Sequence, residues 1–397
     1  MNRLNQRLDP GRTGKKAEEL QASLQNRIVG QDEAIEVIVR AYQAYLSGLN
    51  SAGRPVANFL FLGPTGTGKT RIVEALAESL AGDQRAVLKI DCAEFQHGHE
   101  IARLIGAPPG YLGHRETRAM LNQEALNRHH TESMKLSFVL FDEIEKAGDA
   151  LWNLLLGILD KATLTLGDNQ RVDFSHAMIF LTSNLGATEM SNILRPRLGF
   201  AAGEIERQRL AGRVDEDLTD RISQAGMEAA RRKFTPEFMN RIDHVVVFRP
   251  LGDTQLRSIL DLELNELRHR ILATSEGPAF AFSVTDAAKS FLLREGADLK
   301  YGARHLKRTI DRLLVHPMSN LIATDQVRGG DWIRVDFDPE YGCVSFTKQA
   351  EALPAAAVAQ LNDASQEVPE VTQEAMAVAA QAPMPAAARA KASRRGS

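Results

Sequence analysis

NFLFLGPTGTGKTRIVEALAESL, residues 58–80, runs from an apolar strand-like segment through a glycine-rich turn into a helical pattern. The turn, Gly63-Pro64-Thr65-Gly66-Thr67-Gly68-Lys69-Thr70, fulfils G-x-x-x-x-G-K-[ST] between a strand and a helix, the context this motif requires. Glycines let backbone N–H groups wrap phosphates, and the amino end of the helix adds positive dipole. Lys69 then reaches the β and γ phosphates and the Thr70 hydroxyl binds Mg²⁺, so the expected ligands are ATP and Mg²⁺.

Around this stretch, four further short apolar runs alternate with helical patterns: AVLKI, FVLF, MIFLT and VVVF. Uninterrupted runs bounded by breakers are what parallel strands buried on both faces require, so the class is α/β with a five-stranded parallel sheet. Upstream, Ile35, Ile38, Tyr42, Tyr45 and Leu49 recur at helical spacing. TLTLGDNQRVDF, residues 163–174, interrupts the alternation as a hairpin turning at Gly167-Asp168-Asn169. From Leu251 the texture changes to a smaller α+β unit that ends with DWIRVDF and CVSF. The expected divisions are a flexible lead-in over 1–20, a large ATPase domain over 21–250, a small domain over 251–348 and a disordered Ala/Pro-rich tail over 349–397.

Composition narrows the class. With 44% hydrophobic and 25% charged residues in 397, the chain can bury a substantial core. A net charge of -3 provides no whole-molecule positive field for nucleic acid or an anionic membrane. Cys92 and Cys343 lie in apolar runs far apart and read as two reduced core thiols. No apolar run is long enough to span a membrane, and the amino terminus lacks the apolar core of a signal peptide, so the expected address is the cytoplasm.

Two acids, Asp142 and Glu143, follow the strand FVLF, at the strand ends where ligands of doubly wound sheets gather. Alone they read equally well as a helix cap. Beside a phosphate loop, Asp142 suits the Mg²⁺ shell and Glu143 suits polarising the attacking water. MIFLT runs into Ser183-Asn184, and Asn184 either holds that same water or serves a turn.

The order GPTGTGKT, LFDEIEKA, FLTSNLGA, FTPEFMNRID and YGARHLKR resembles the carboxy-terminal ATPase module of the Clp family of AAA+ protein unfoldases (ClpA, ClpB, ClpC), over residues 20–348. The resemblance implies a P-loop AAA+ core followed by a smaller lid domain. It implies that Arg241 is an arginine finger acting on a neighbouring subunit's nucleotide and that Arg304 is the second sensor. It also implies that Ile28 and Val29, in NRIVGQDEA, pack on adenine. Without it, both arginines would read as ordinary surface charges.

Family members form six-membered homo-oligomeric rings, and the loop matching GAPPGYLG projects into the channel. Tyr111, with Leu112 and Gly113, is therefore expected to grip extended polypeptide substrates by nonpolar contact, and the hairpin at 163–174 to line the channel below. The implied function is an ATP-hydrolysing motor that unfolds or remodels proteins. Leu198-Gly199-Phe200 resembles the tripeptide with which some relatives dock on a ClpP-type peptidase, which leaves feeding such a peptidase as the alternative. Only one ATPase module is present, and two distant cysteines cannot build the zinc domain of ClpX-like relatives. A nucleic-acid motor is opposed by the charge, and a non-hydrolysing scaffold by the presence of Glu143 and Arg241.

Overall fold

The computed structural model describes Asp9 and residues 11–107, 119–132, 134–194, 216–273, 279–298 and 302–363. It divides into two units, one reaching to Gln255 and including Asp298–Arg304, the other comprising Leu256–Ala297 and residues from His305 onward.

In the first unit the strands are β1 (Ala57–Leu62), β2 (Val87–Asp91), β3 (Ser137–Asp142), β4 (Thr163–Thr165), β5 (Arg171–Asp173), β6 (Ala177–Ser183) and β7 (His244–Val247). Five of them form one parallel sheet in the order β2-β3-β6-β1-β7. These are the five apolar runs of the sequence. Their continuity follows from burial on both faces: Leu60 and Leu62 of β1 enter one core with Val139, Phe141, Ile179 and Leu181. Phe59 and Phe61 enter the other with Phe138, Leu140, Met178 and Phe180. The Phe59 and Phe180 rings stack across the strands with centroids 4.9 Å apart.

One face is covered by α1 (Lys15–Gln25), α2 (Asp32–Ser47) and α3 (Lys69–Ala81). The helix Asp149–Lys161 and the β4–β5 hairpin contribute Leu151, Leu155, Leu164 and Val172 to the other. α1 begins inside the stretch read as a lead-in. Ala17, Leu20 and Leu24 form its buried stripe, a three-residue signal submerged among charged and amide side chains. α2 ends at Gly48, whose left-handed φ of 69° caps it, so Leu49 lies beyond the helix and is 85% exposed.

In the second unit, β8 (Ala281–Val284), β9 (Trp332–Asp338) and β10 (Cys343–Ala350) form a sheet in the order β10-β9-β8, with β8 and β9 parallel and β9 and β10 antiparallel. Leu260, Leu264 and Leu267 line the buried side of the helix Asp253–Ala273. The tail boundary shifts relative to expectation. The helix Ala355–Asp363 packs Val358 against Ala281 and Trp332, and Asn362 donates to the Phe280 carbonyl at 3.1 Å. Alanine-rich composition concealed this segment because Val358 and Leu361 are its only large apolar side chains in that contact. The expectation of two core cysteines holds for Cys92, which is buried, and not for Cys343, which is exposed at the start of β10.

Candidate functional site

Strand register creates the site. Leu62 pairs with Ser183, and Asp91 with Asp142, so β1, β3 and β6 deliver Gly63, Asp142 and Asn184 to one carboxyl edge of the sheet. From β1 the chain turns through the phosphate loop into α3, entering the helix at Gly68 with φ 101°, a conformation that side-chain-bearing residues rarely adopt.

Lys69 is only 8% exposed. Its Nζ donates to the carbonyls of Gly63 at 2.7 Å and Pro64 at 2.9 Å, and to Asn184 Oδ1 at 2.9 Å. Burial lowers its pKa to about 8; the carboxylates of Glu145, Asp142 and Glu143 oppose that shift and Arg304 adds to it. The Thr67 hydroxyl closes the loop onto the Pro64 carbonyl at 2.9 Å.

Asp142 accepts a hydrogen bond from the Thr182 hydroxyl and pairs with Lys89 Nζ at 3.3 Å. The Thr70 hydroxyl stands 3.4 Å and 3.5 Å from its two oxygens. Those distances are long for hydrogen bonds between hydroxyl and carboxylate, and they suit two hard oxygen donors turned toward one cation.

Glu143 adopts a left-handed φ of 56°, which is strained for a residue with a side chain. Its N–H donates to Thr182 Oγ1 at 3.1 Å. Its Oε1 accepts from Asn184 Nδ2 at 3.1 Å, while Oε2 is ion-paired with Lys146. Asn184 thus joins Lys69 to Glu143 through the two ends of one amide.

The backbone just before Arg304 approaches the phosphate loop. Gly302 has φ 52°, and a Cβ on it would lie 2.8 Å from the Gly66 carbonyl oxygen; Ala303 N–H donates to that same oxygen at 3.1 Å. Arg304 is exposed and close enough for its charge to act on Lys69.

The other expected residues are placed apart or not described. Arg241 donates to Glu237 Oε1 at 2.9 Å and lies 3.9 Å from Asp160, with no contact to the phosphate loop among the described residues. Ile28 is buried with Ile35 and Ile38, and Val29 is half-buried. Tyr111, Leu112 and Gly113 lie outside the described residues, as do Leu198, Gly199 and Phe200. The hairpin at 163–174 is present as β4 and β5, and its Gly167 N–H donates to the Ile105 carbonyl at 2.8 Å.

Sequence reasoning did not find Gln31, Thr182 or Glu145. Gln31 is 4% exposed and ties the loop down: Nε2 donates to the Thr67 and Arg249 carbonyls, each at 3.1 Å, and Oε1 accepts the Arg249 N–H at 3.2 Å. Among the described residues, no group of three or more histidine, cysteine and acidic side chains is placed to hold a metal ion, and no helix is long and apolar enough to cross a membrane.

Comparison with known proteins agrees with this geometry. Residues 54–245 match the model of the AAA domain (Cdc48 subfamily), and residues 251–335 match that of the C-terminal, D2-small domain of ClpB protein. The chain is 38% identical to the chaperone protein ClpB of Rhodopirellula baltica over 80% of its own length and 33% of that protein's. It is 36% identical to the ATP-dependent Clp protease ATP-binding subunit ClpC of Staphylococcus saprophyticus, covering 80% of this chain and 36% of ClpC. It therefore spans about a third of the length of either relative. Among solved structures, the Hsp104:casein complex of S. cerevisiae in its extended conformation superposes with a TM-score of 0.69 at 27% identity, covering 84% of this chain and 52% of that one. A nucleotide-binding core at 54–245 is thus followed by a ClpB-type small domain, and residues 54–335 are a Clp-family AAA+ module.

Proposed function

We propose that the module hydrolyses ATP and, as a ring of six copies, uses that energy to pull polypeptides past Tyr111 and so unfold or remodel them. The observation that carries this reading is the Asn184 amide linking Lys69, a phosphate ligand, to Glu143, the residue placed to act on water. A scaffold that only bound nucleotide would have no need of a carboxylate held in left-handed backbone beside that lysine.

The donor set fits Mg-ATP. The loop N–H groups and the Lys69 ammonium bind the phosphates, and Thr70 and Asp142 would hold Mg²⁺, which supplies charge neutralisation on the phosphate oxygens. Glu143 orients and polarises the attacking water, with Asn184 setting the direction of its carboxylate. Arg304 adds positive charge beside Lys69, and Ile28 and Val29 supply an apolar border for the base. Arg241, whose contacts lie with Glu237 and Asp160, serves the neighbouring subunit's nucleotide.

The substrate class follows from the similar Hsp104 structure, which holds casein, and from the chaperone name of the ClpB relative. A net charge of -3 gives no support to a nucleic-acid track. Stand-alone remodelling is preferred over delivery to a peptidase. The test is steady-state ATP hydrolysis by the intact chain: turnover that Glu143→Gln removes supports the reading, and no turnover at any protein concentration contradicts it.

A further inference from the structure

Glu145 follows Glu143 by two residues, on the 3₁₀ turn Ile144–Lys146. Ile144 is fully buried, and the left-handed backbone at Glu143 turns the chain so that Glu145 reaches the end of β6. There its Oε1 accepts the backbone N–H of Asn184 at 3.1 Å. Its other oxygen, Oε2, is buried with no hydrogen-bond partner among the described residues. A hidden, unpaired carboxylate oxygen is unfavourable, and where one persists a functional explanation is called for.

We propose that Glu145 is a positioning residue of the nucleotide site, gripping the Asn184 N–H so that the Asn184 side chain can join Lys69 to Glu143. Asn184 spends its backbone N–H on Glu145 and its Nδ2 on Glu143, and its Oδ1 accepts from Lys69 and, at 3.4 Å, from the Thr65 hydroxyl. Losing the first restraint weakens the hold on a strand end otherwise kept by the Gly63 N–H on the Ser183 carbonyl and the Ala187 N–H on the Asn184 carbonyl, and the side-chain bonds, on which the aim of Glu143 depends, loosen with it. The inference rests on the reading of this site as one that hydrolyses ATP.

A misplacement of about 1 Å near reacting groups costs on the order of a hundredfold in rate. Glu145→Ala is therefore expected to lower kcat by roughly ten- to a hundredfold while leaving the Kd for a fluorescent ATP analogue within about threefold. Glu145→Gln keeps a carbonyl oxygen for the Asn184 N–H and is expected to retain most of the turnover. A double-mutant cycle separates positioning from general structural support, because once Asn184 is truncated there is nothing left to position. Glu145→Ala/Asn184→Ala should turn over no more slowly than Asn184→Ala alone.

Thermal melts screen each variant, and Glu145→Met, of similar volume and unable to accept the N–H, replaces the alanine variant if that one does not fold. Unaltered kcat in the truncated variant, costs that multiply in the double variant, or Glu145→Gln as impaired as Glu145→Ala would each overturn the proposal. Wild type and Glu143→Gln are measured alongside. Absence of turnover in wild type would overturn the reading of the site and this inference with it. Turnover that Glu143→Gln abolishes and Glu145→Ala leaves untouched would overturn this inference alone.

Discussion

Lys69 Nζ lies 2.9 Å from Asn184 Oδ1, and the other end of that amide holds Glu143 at 3.1 Å. One side chain therefore bridges Lys69, proposed to bind phosphate, and Glu143, proposed to act on water, and substitutions on its two sides should separate binding from chemistry. Lys69→Ala removes charge-assisted hydrogen bonds worth about 1.5–3 kcal/mol and is expected to weaken ATP binding roughly 10- to 150-fold. Glu143→Gln should bind ATP within about threefold of wild type and lose about 10²- to 10⁴-fold in turnover. Equilibrium titration with an ATP analogue, beside single-turnover hydrolysis, measures both; equal loss of binding in the two variants would contradict the assignment.

Nucleotide affinity should depend on pH through Lys69. Burial holds the free protein's ammonium at a pKa of about 8, and bound phosphates, being anionic, raise that pKa. Below about pH 8 the lysine is charged in both states and affinity is flat. Above it, the free lysine is neutral and must take up a proton on binding, so affinity falls by up to about tenfold per pH unit. Calorimetry in buffers of different ionisation enthalpy should register proton uptake above this break and none well below it. Affinity that stays constant from pH 7 to 9.5 would refute the buried-lysine account.

Gly302 should be intolerant of any side chain. Its φ of 52° and its approach to Gly66 leave no room for a Cβ, which would sit 2.8 Å from a backbone oxygen. The left-handed conformation alone costs alanine about 1–2 kcal/mol, and the contact adds to this. Gly302→Ala is expected to displace Ala303 and Arg304 from the phosphate loop and to weaken nucleotide binding about tenfold. Arg304→Ala, tested beside it, should show a similar loss with little change in melting temperature. Wild-type affinity in Gly302→Ala would mean that this contact does not matter to the site.

Arg241 is anchored on Glu237 and Asp160, and its side chain is 23% exposed. If it serves the next subunit, Arg241→Ala should reduce turnover by about 10³- to 10⁵-fold with ATP affinity nearly unchanged. Mixing Arg241→Ala with Glu143→Gln subunits creates some interfaces with an intact arginine facing an intact glutamate, and those should regain activity. No recovery in confirmed mixed assemblies would contradict action in trans.

The parallel sheet and the phosphate loop were legible because their signals are local: each strand is an unbroken apolar run, and Gly63 to Thr70 is a contiguous motif at a strand-to-helix junction. Residues whose roles depend on distant pairing were not. Gln31 reads as a polar helix start, yet its partners lie 36 and 218 residues away. Glu145 reads as one more charge in DEIEK, and its contact with Asn184 exists only because the register of β3 against β6 brings the two strand ends together. Weak amphipathic stripes were lost for a different reason. In α1 and in the helix Ala355–Asp363, only a few apolar residues carry the buried face, too few to stand out from polar or alanine-rich surroundings. Arg241 and Arg304 became candidates through resemblance, since neither has a local signature; Ala303, next to Arg304, bonds the Gly66 carbonyl of the phosphate loop, whereas the ion pairs of Arg241 are with Glu237 and Asp160.

ATP-driven unfolding is tested most directly by following loss of fluorescence from a stable, tagged fluorescent domain on mixing with the intact chain and ATP, with hydrolysis recorded in the same samples. Wild type should unfold the domain while it hydrolyses ATP. Glu143→Gln should do neither, and Tyr111→Ala should hydrolyse ATP within about threefold of wild type while leaving the domain folded, because an aromatic grip transmits force and performs no chemistry. Unfolding that persists in Tyr111→Ala, or wild-type hydrolysis that never unfolds any tagged substrate, would contradict the account.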